Sequence, residues 1–227
     1  MNFSLLATVA TATLFLACVQ AKAEDGALGS GIYVSVFGGA SISDNVKADL
    51  SLPSKTWSYD LDLKSGYLLG AVIGMNVTDM IRGEVELSHS SWKSNGESHV
   101  SDGGSFGTGA TRGAISDTYL LTNVWLDLNN DTPFTPYVGG GAGVGWADGN
   151  TVFRNGPQGY GDSELAFAFQ LGGGVKFDLT NNVALDAGYR YKSILNVDLK
   201  NSDPSLNDYT GADFGSHNVQ LGLTYSF

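Results

Sequence analysis

The sequence predicts an all-β chain, an eight-stranded antiparallel up-and-down β-barrel of the transmembrane kind, and three observations predict it. The last eleven residues, HNVQLGLTYSF, alternate Val219, Leu221, Leu223, Tyr225 and Phe227 with Asn218, Gln220, Gly222, Thr224 and Ser226. Period two places one set on each face of a strand, and the length matches the roughly 9–11 residues that a tilted strand needs to cross a bilayer. Seven further segments upstream share this pattern, and the connections between the eight alternate long and short. Finally, no stretch after the amino-terminal leader approaches the roughly eighteen consecutive apolar residues of a membrane helix.

The leader comes first in the chain. Leu5 to Val19 is mostly apolar, and Ala21-Lys22-Ala23 after it forms a small-x-small cleavage site. Residues 1–23 therefore read as a cleaved signal peptide and residues 24–227 as one domain. A transmembrane anchor fits less well, because the apolar run is short and nothing like a stop-transfer sequence follows. No Lys or Arg precedes that run, which departs from the usual signal. Cys18 is the single cysteine and lies inside the leader, so the mature chain would hold no disulfide or thiolate metal site. Phe15-Leu16-Ala17 before Cys18 is a poor lipoprotein signal.

The full chain carries a net charge of −11, and cleavage after Ala23 would remove one positive side chain, Lys22. Such an excess argues against nucleic acid, which is bound by Lys and Arg neutralising phosphate. Thirty-one glycines point to sheet with close backbone approach.

The first strand starts at Gly31 in IYVSVFGGA, with Ile32, Val34 and Val36 opposite Ser35, and a polar stretch from Ser43 to Ser65 follows. The second, Gly66 to Asn76, sets Tyr67, Leu69, Ala71, Ile73 and Met75 against Leu68, Val72 and glycines. Asn76-Val77-Thr78-Asp79 turns it into the third, Ile81 to Trp92, where Ile81, Gly83, Val85 and Leu87 oppose Arg82, Glu84, Glu86 and Ser88. Lys93 to Arg112 reads as a loop of about twenty residues, long for a compact domain.

The fourth strand, Ile115 to Leu128, points Leu120, Val124, Leu126 and Leu128 away from Asn123 and Asp127. Asn129 to Pro133 is a tight connection to the fifth, Phe134 to Ala147, with its run of glycines. After a polar loop, Asp148 to Ser163, the sixth strand, Glu164 to Leu179, opposes Phe167, Phe169, Leu171, Val175 and Phe177 to Gln170, Lys176 and Asp178. Thr180-Asn181-Asn182 leads to the seventh, where Val183, Leu185, Ala187, Tyr189 and Tyr191 oppose Asp186, Arg190 and Lys192. Asn196 to Gly215 is the fourth long loop before the closing strand.

Short turns on one side, longer loops on the other and an even strand number are the habit of outer-membrane barrels. Hydrocarbon offers no partner to an open sheet edge, so a lipid-facing sheet must pair its first strand with its last. Gly31–Ala40 and His217–Phe227 would form that seam. Trp57, Tyr67, Trp92, Tyr119, Trp125, Trp146, Tyr189, Tyr191, Tyr225 and Phe227 lie mostly toward strand ends, where aromatic girdles form.

YVSVFGGA, TYLLTNVWLDL, TPYVGGGAGVGW, FQLGGGVKFDLTNNVALDAGYRY and the terminal LGLTYSF carry a resemblance over the whole mature chain. It resembles the small eight-stranded outer-membrane β-barrels, OmpA-like and opacity-type porin-family proteins of Gram-negative bacteria. The resemblance implies an integral outer-membrane protein surrounded by lipid and lipopolysaccharide, with a structural and surface-interaction role in the envelope. It also implies that the insertion machinery reads Val219, Leu221, Leu223, Tyr225 and Phe227 in the final strand. No cofactor is expected, and no loop ligand, haem included, is specified.

Alternation puts Arg82, Glu84, Glu86, Lys176, Asp178, Asp186, Arg190 and Lys192 inside the barrel. An eight-stranded interior is just wide enough for side chains to fill it, and an unpaired buried charge is costly. The predicted arrangement is a plug of ion pairs; a narrow path for ions or small solutes is the alternative. His89-Ser90-Ser91 is similar in spacing to the His-x-Ser pair of outer-membrane lipid A deacylases, in which a His activates a Ser. His89 shares its face with Val85 and Leu87 and has no acidic residue there to orient it, so the expectation is not an enzyme. The loop residues Asp198, Asp203, Asp208 and Asp213 lack the tight run of oxygen ligands around a glycine that a calcium loop needs. The loops remain the place for a host or envelope partner.

Overall fold

The computed structural model describes residues 31–44, 46–52, 55–63, 65–101, 106–128, 130–153, 160–163, 165–201 and 209–227. The expected signal peptide, residues 1–23, lies outside them. The strands are β1 (Ile32–Ser43), β2 (Val46–Leu52), β3 (Lys55–Leu63), β4 (Gly66–Asn76), β5 (Ile81–Ser101) and β6 (Phe106–Asp127). They continue as β7 (Phe134–Phe153), β8 (Tyr160–Ser163), β9 (Ala166–Asp178), β10 (Val183–Asn201) and β11 (Tyr209–Ser226). No helix occurs among the described residues.

Eight of these strands, β1, β4, β5, β6, β7, β9, β10 and β11, are the staves of one closed antiparallel barrel. The seam joins β1 to β11 with Val34 opposite Tyr225, Val36 opposite Leu223 and Ala40 opposite Val219. The Phe227 amide donates to the Ile32 carbonyl at 3.0 Å and extends the ladder to the last residue. Closure leaves no edge for hydrocarbon to strand.

Short turns join the staves at one end, and their side chains explain the tightness. The Thr78 hydroxyl accepts from the amides of Met80 and Ile81, and the Thr180 hydroxyl accepts from those of Asn182 and Val183. Asn130 Oδ1 accepts from the Thr132 amide at 2.8 Å. Such Asx and Ser/Thr turns stand in for backbone hydrogen bonds at chain reversals.

At the other end the structure departs from the expected long loops. β5 and β6 stay paired from Ile81↔Leu126 to Ser101↔Phe106, β7 follows β6 as far as Phe153↔Thr111, and β10 and β11 pair out to Leu199↔Tyr209. The polar stretch after β1 is a hairpin in which β2 touches β11 at Asp49↔Thr210 and β3 runs along β5 from Ser58↔Ser101 to Leu63↔Ser94. Most of the expected loops are therefore strand, forming a wall that rises past the seam. Composition misled here because β-propensity yields readily to tertiary pairing. With 22 residues, β6 is about twice as long as the roughly 9–11 residues that span a bilayer.

The outer face carries the greasy band. Val36, Leu69, Ile73, Leu87, Leu120, Val124, Val138, Leu171, Leu185 and Leu223 are all exposed, and Leu221 reaches 69%. An apolar surface of this extent is foreign to a soluble monomer; hydrocarbon is its natural solvent. Tyr67, Tyr189, Tyr225 and Phe227 stand on this face as expected of a girdle, while Trp92, Tyr119 and Trp125 are buried inside the barrel. The girdle expectation is corrected for those three. They share the parity of Arg82 or Asn123, not that of the outward Leu87 and Leu120, and fill a lumen that glycines on the opposing strands leave open. The side chain of Trp57 lies outside the described residues.

Candidate functional site: the filled lumen

The lumen is built from inward parity. On β5 it collects Arg82, Glu84, Glu86, Ser88, Ser90 and Trp92, all buried. On β6 it collects Asp117, Tyr119, Leu121, Asn123, Trp125 and Asp127, also buried. β7 contributes mostly glycines, and the room is needed: a Cβ on Gly141 would lie 2.0 Å from Asn123 Oδ1 and 2.4 Å from the Thr122 carbonyl oxygen.

Near the short-turn end, Arg82 organises the first layer. Its Nε donates to Asp127 Oδ2 at 2.7 Å and its Nη1 to Glu84 Oε1 at 3.2 Å. Glu84 also accepts from the Tyr33 hydroxyl at 2.6 Å and from Trp125 Nε1 at 2.7 Å. The Arg190 guanidinium stacks over Trp125, 4.1 Å from the ring centroid, and donates to the Tyr137 hydroxyl at 2.7 Å. A cation held against an indole face away from water gains on the order of 2 kcal/mol. Asp186 is half-buried and lines the same space as Arg190.

Midway along the axis a second layer closes the cross-section. Lys192 Nζ bonds Glu86 Oε1 and donates to Ser88 Oγ at 2.7 Å. Glu86 Oε2 accepts from Asn123 Nδ2 at 3.0 Å and from Gln170 Nε2 at 2.7 Å. Both charges are fully withdrawn from solvent, so their desolvation is offset only by this complete set of partners.

Further out the inward face mixes polar side chains, Ser41, Ser90, Asp117 and Ser216, with apolar ones. Leu68, Trp92, Ile115, Ile194, Val197 and Phe214 are all buried there, beyond the level of Glu86. Trp92 Nε1 satisfies itself on Ser41 Oγ at 3.1 Å.

Of the sequence-predicted interior charges, Arg82, Glu84, Glu86 and Arg190 are buried in the lumen, and Asp186 and Lys176 are half-buried. Lys176 faces Asp178 at 3.6 Å at the short-turn end, apart from the others. Asp127, Asn123 and Gln170 complete the two layers and were not singled out as partners. Parity places all three on the inward face; which strands face each other across the barrel is a tertiary matter. Val219, Leu221, Leu223, Tyr225 and Phe227 all face outward and are exposed. His89 sits on the outer face with Nδ1 3.0 Å from Thr118 Oγ1.

A closed barrel, greasy outside and ionic within, is the architecture of outer-membrane proteins. Residues 9–227 match the family model of the outer membrane protein beta-barrel domain, and the chain belongs to that family. Its localisation is accordingly the outer membrane of Gram-negative bacteria. The chain is 30% identical over 122 residues to outer membrane protein PagN of Salmonella typhimurium, a match spanning about half of each chain, 48% and 49%. Among solved structures it is similar to Neisserial surface protein A, with TM-score 0.51 and 21% identity over 87% of this chain and 98% of that one. It is also similar to the outer membrane protease OmpT of Escherichia coli, with TM-score 0.52 and 9% identity over 87% and 97%. These likenesses establish the fold, which hosts surface proteins and an enzyme alike.

Proposed function

We propose that this protein is a structural, surface-displayed barrel of the envelope, passive in mechanism and without catalytic residues. The supporting observation is the Glu86–Lys192–Asn123–Gln170 layer, which occupies the lumen with side chains that have no solvent exposure or very little. A filled cross-section suits an anchor better than a pore, and the wall beyond the bilayer suits display. The partners proposed are lipid and lipopolysaccharide around the band and a host or envelope molecule at the outer tips. Export through residues 1–23 and recognition of Val219, Leu221, Leu223, Tyr225 and Phe227 by the insertion machinery complete the proposal.

Planar-bilayer recording of the folded full chain tests the passive reading. The expected trace is flat at the single-channel level. Reproducible conductance steps altered by Arg82→Gln or Glu84→Gln would replace it with a small porin, and lipid A deacylation lost in His89→Ala would replace it with an acyl hydrolase.

A further inference from the structure

A cluster on the lipid-facing side of β10 and β11 lies outside the lumen. Outward parity on β11 runs from Phe227 through Leu221 and Val219 to His217, which pairs with Tyr191 on β10 as Val219 pairs with Tyr189. His217 stands ten residues from Phe227. At about 3.3 Å per residue and a tilt near 45° that is about 23 Å, close to the height of the apolar band of such barrels. The cluster therefore sits at the border of the band farthest from the short turns, where hydrocarbon ends and the headgroups of the outer leaflet begin.

Four rings form one ledge there. Centroids lie 6.2 Å apart for Phe169 and Tyr191, 5.1 Å for Tyr191 and His217, and 6.0 Å for His217 and Tyr189. Asp44, just past the end of β1, closes the ledge. Its Oδ1 is 3.3 Å from His217 Nε2, and its Oδ2 accepts from the Tyr191 hydroxyl at 3.4 Å. Gly215 makes the room, because a Cβ there would lie 2.4 Å from Asp44 Oδ2 and 2.8 Å from the Tyr191 hydroxyl oxygen. The side chains of His217 and Asp44, and Tyr189 as a residue, are each nearly half exposed, so the ledge meets what surrounds the barrel.

Counting hydrogens identifies the ligand. Tyr189 Oη lies 2.5 Å from His217 Nδ1. A neutral His217 gives its Nε2 hydrogen to the Asp44 carboxylate, so Nδ1 accepts from the Tyr189 hydroxyl. With the Tyr191 hydroxyl already donating to Asp44, every polar hydrogen of these side chains is spent inside the cluster. The ledge turns outward only lone pairs, aromatic faces and a carboxylate with about half of its four or so acceptor sites taken. Asp213, exposed and next after Gly215 on the same face, adds a second negative charge. Such a surface repels phosphate and has no donor for it. Calcium wants roughly six to eight oxygen ligands, more than the ledge holds. A primary ammonium brings three donors and a positive charge, and aromatic faces hold organic cations.

We propose that the ledge of Asp44, Tyr189, Tyr191 and His217 binds a primary ammonium carried on the headgroup of an outer-leaflet lipid. A lipid is the occupant because exposed Val219, Leu221 and Ala187 continue from the ledge into the band as a track for its acyl chains. The site deepens the lipid contact proposed above and rests on it.

Native mass spectrometry of the folded full chain tests this, with lipid A bearing phosphoethanolamine and the same lipid N-acetylated at that amine as probes. The compact band on unheated gels selects folded protein. The amine form is expected to be retained about fivefold better, the weight of one exposed ion pair and one exposed cation–π contact. Asp44→Asn and Tyr189→Leu are each expected to reduce that preference. Tyr67→Leu, exposed on the outer face of β4, is expected to leave it unchanged. No preference in the unmodified chain, or a preference that survives in folded Asp44→Asn and Tyr189→Leu, would overturn the site. An equal loss in Tyr67→Leu would overturn it in favour of a general property of the aromatic border. Displacement of the amine lipid by an equal concentration of a soluble lysine peptide would overturn the lipid as occupant. Should Asp44→Asn fail to fold, Tyr189→Leu still decides. Failure to retain either lipid would count against the lipid contact itself, so the two failures are separable.

Discussion

Lys192 and Glu86 show how a single pair can be worth little as a pair and much as a unit. Removing one partner leaves the other charge buried without compensation, which costs about 3–5 kcal/mol. Glu86→Leu is therefore expected to lower the unfolding free energy read from urea titration of the folded barrel by that much, whereas the double variant Glu86→Leu/Lys192→Met should recover most of the loss. A double variant no more stable than the single one would show that the layer is held by something other than the ion pair. Gly141 gives the complementary case. A valine there must displace Asn123 or the β6 backbone at Thr122, since its Cβ would sit 2.0 Å from Asn123 Oδ1. Overpacking of this kind typically costs 1–3 kcal/mol or more, read in the same unfolding assay.

Among elements, β11 carries the seam on one edge and β10 on the other. Leu221 lies within its lipid-facing band, opposite Gly38 on β1 and Ala187 on β10. Leu221→Arg is expected to cost about 2–4 kcal/mol if the bilayer midplane passes at that level, and a change below about 0.5 kcal/mol would place lipid elsewhere. The β2–β3 hairpin is the opposite kind of element. Its pairings lie beyond the eight-strand ring, with β11 at Asp49↔Thr210 and with the outer part of β5. Replacing residues 46–63 by a short turn should leave a barrel that still migrates as a compact unheated band. Loss of that band would mean that the outer wall is required for closure.

For the molecule as a whole, closure makes the ring a single cooperative unit. Trp92 and Trp125 are buried at different levels of the lumen, the first beyond the Glu86 layer and the second within the Arg82 layer. Their fluorescence, isolated by replacing the other tryptophans with phenylalanine, is expected to change with the same denaturant midpoint as the compact gel band. Two separated midpoints would show that the outer wall melts apart from the membrane ring. The wall also sets the reach of the protein. At about 3.3 Å per residue and a tilt near 45°, a strand of 22 residues rises about 50 Å, roughly twice the apolar band of such barrels.

Alternation is a local property, so the sequence alone determined which residues face lipid and which face the lumen, from Val34 and Ser35 through Leu185 and Asp186 to Leu221 and Gln220. It also determined the seam, because an apolar outer face leaves a sheet in lipid no choice but to close. Tertiary structure alone decided which inward residues meet. Glu86 finds Lys192 106 positions away, across a distance that no periodicity encodes. Tertiary structure also decided that the Gly-, Ser- and Asp-rich stretches between the staves are wall. Where glycine and polar residues run along both faces of a strand, the sequence shows no apolar alternation to mark it, and pairing with the neighbouring strand is what places it.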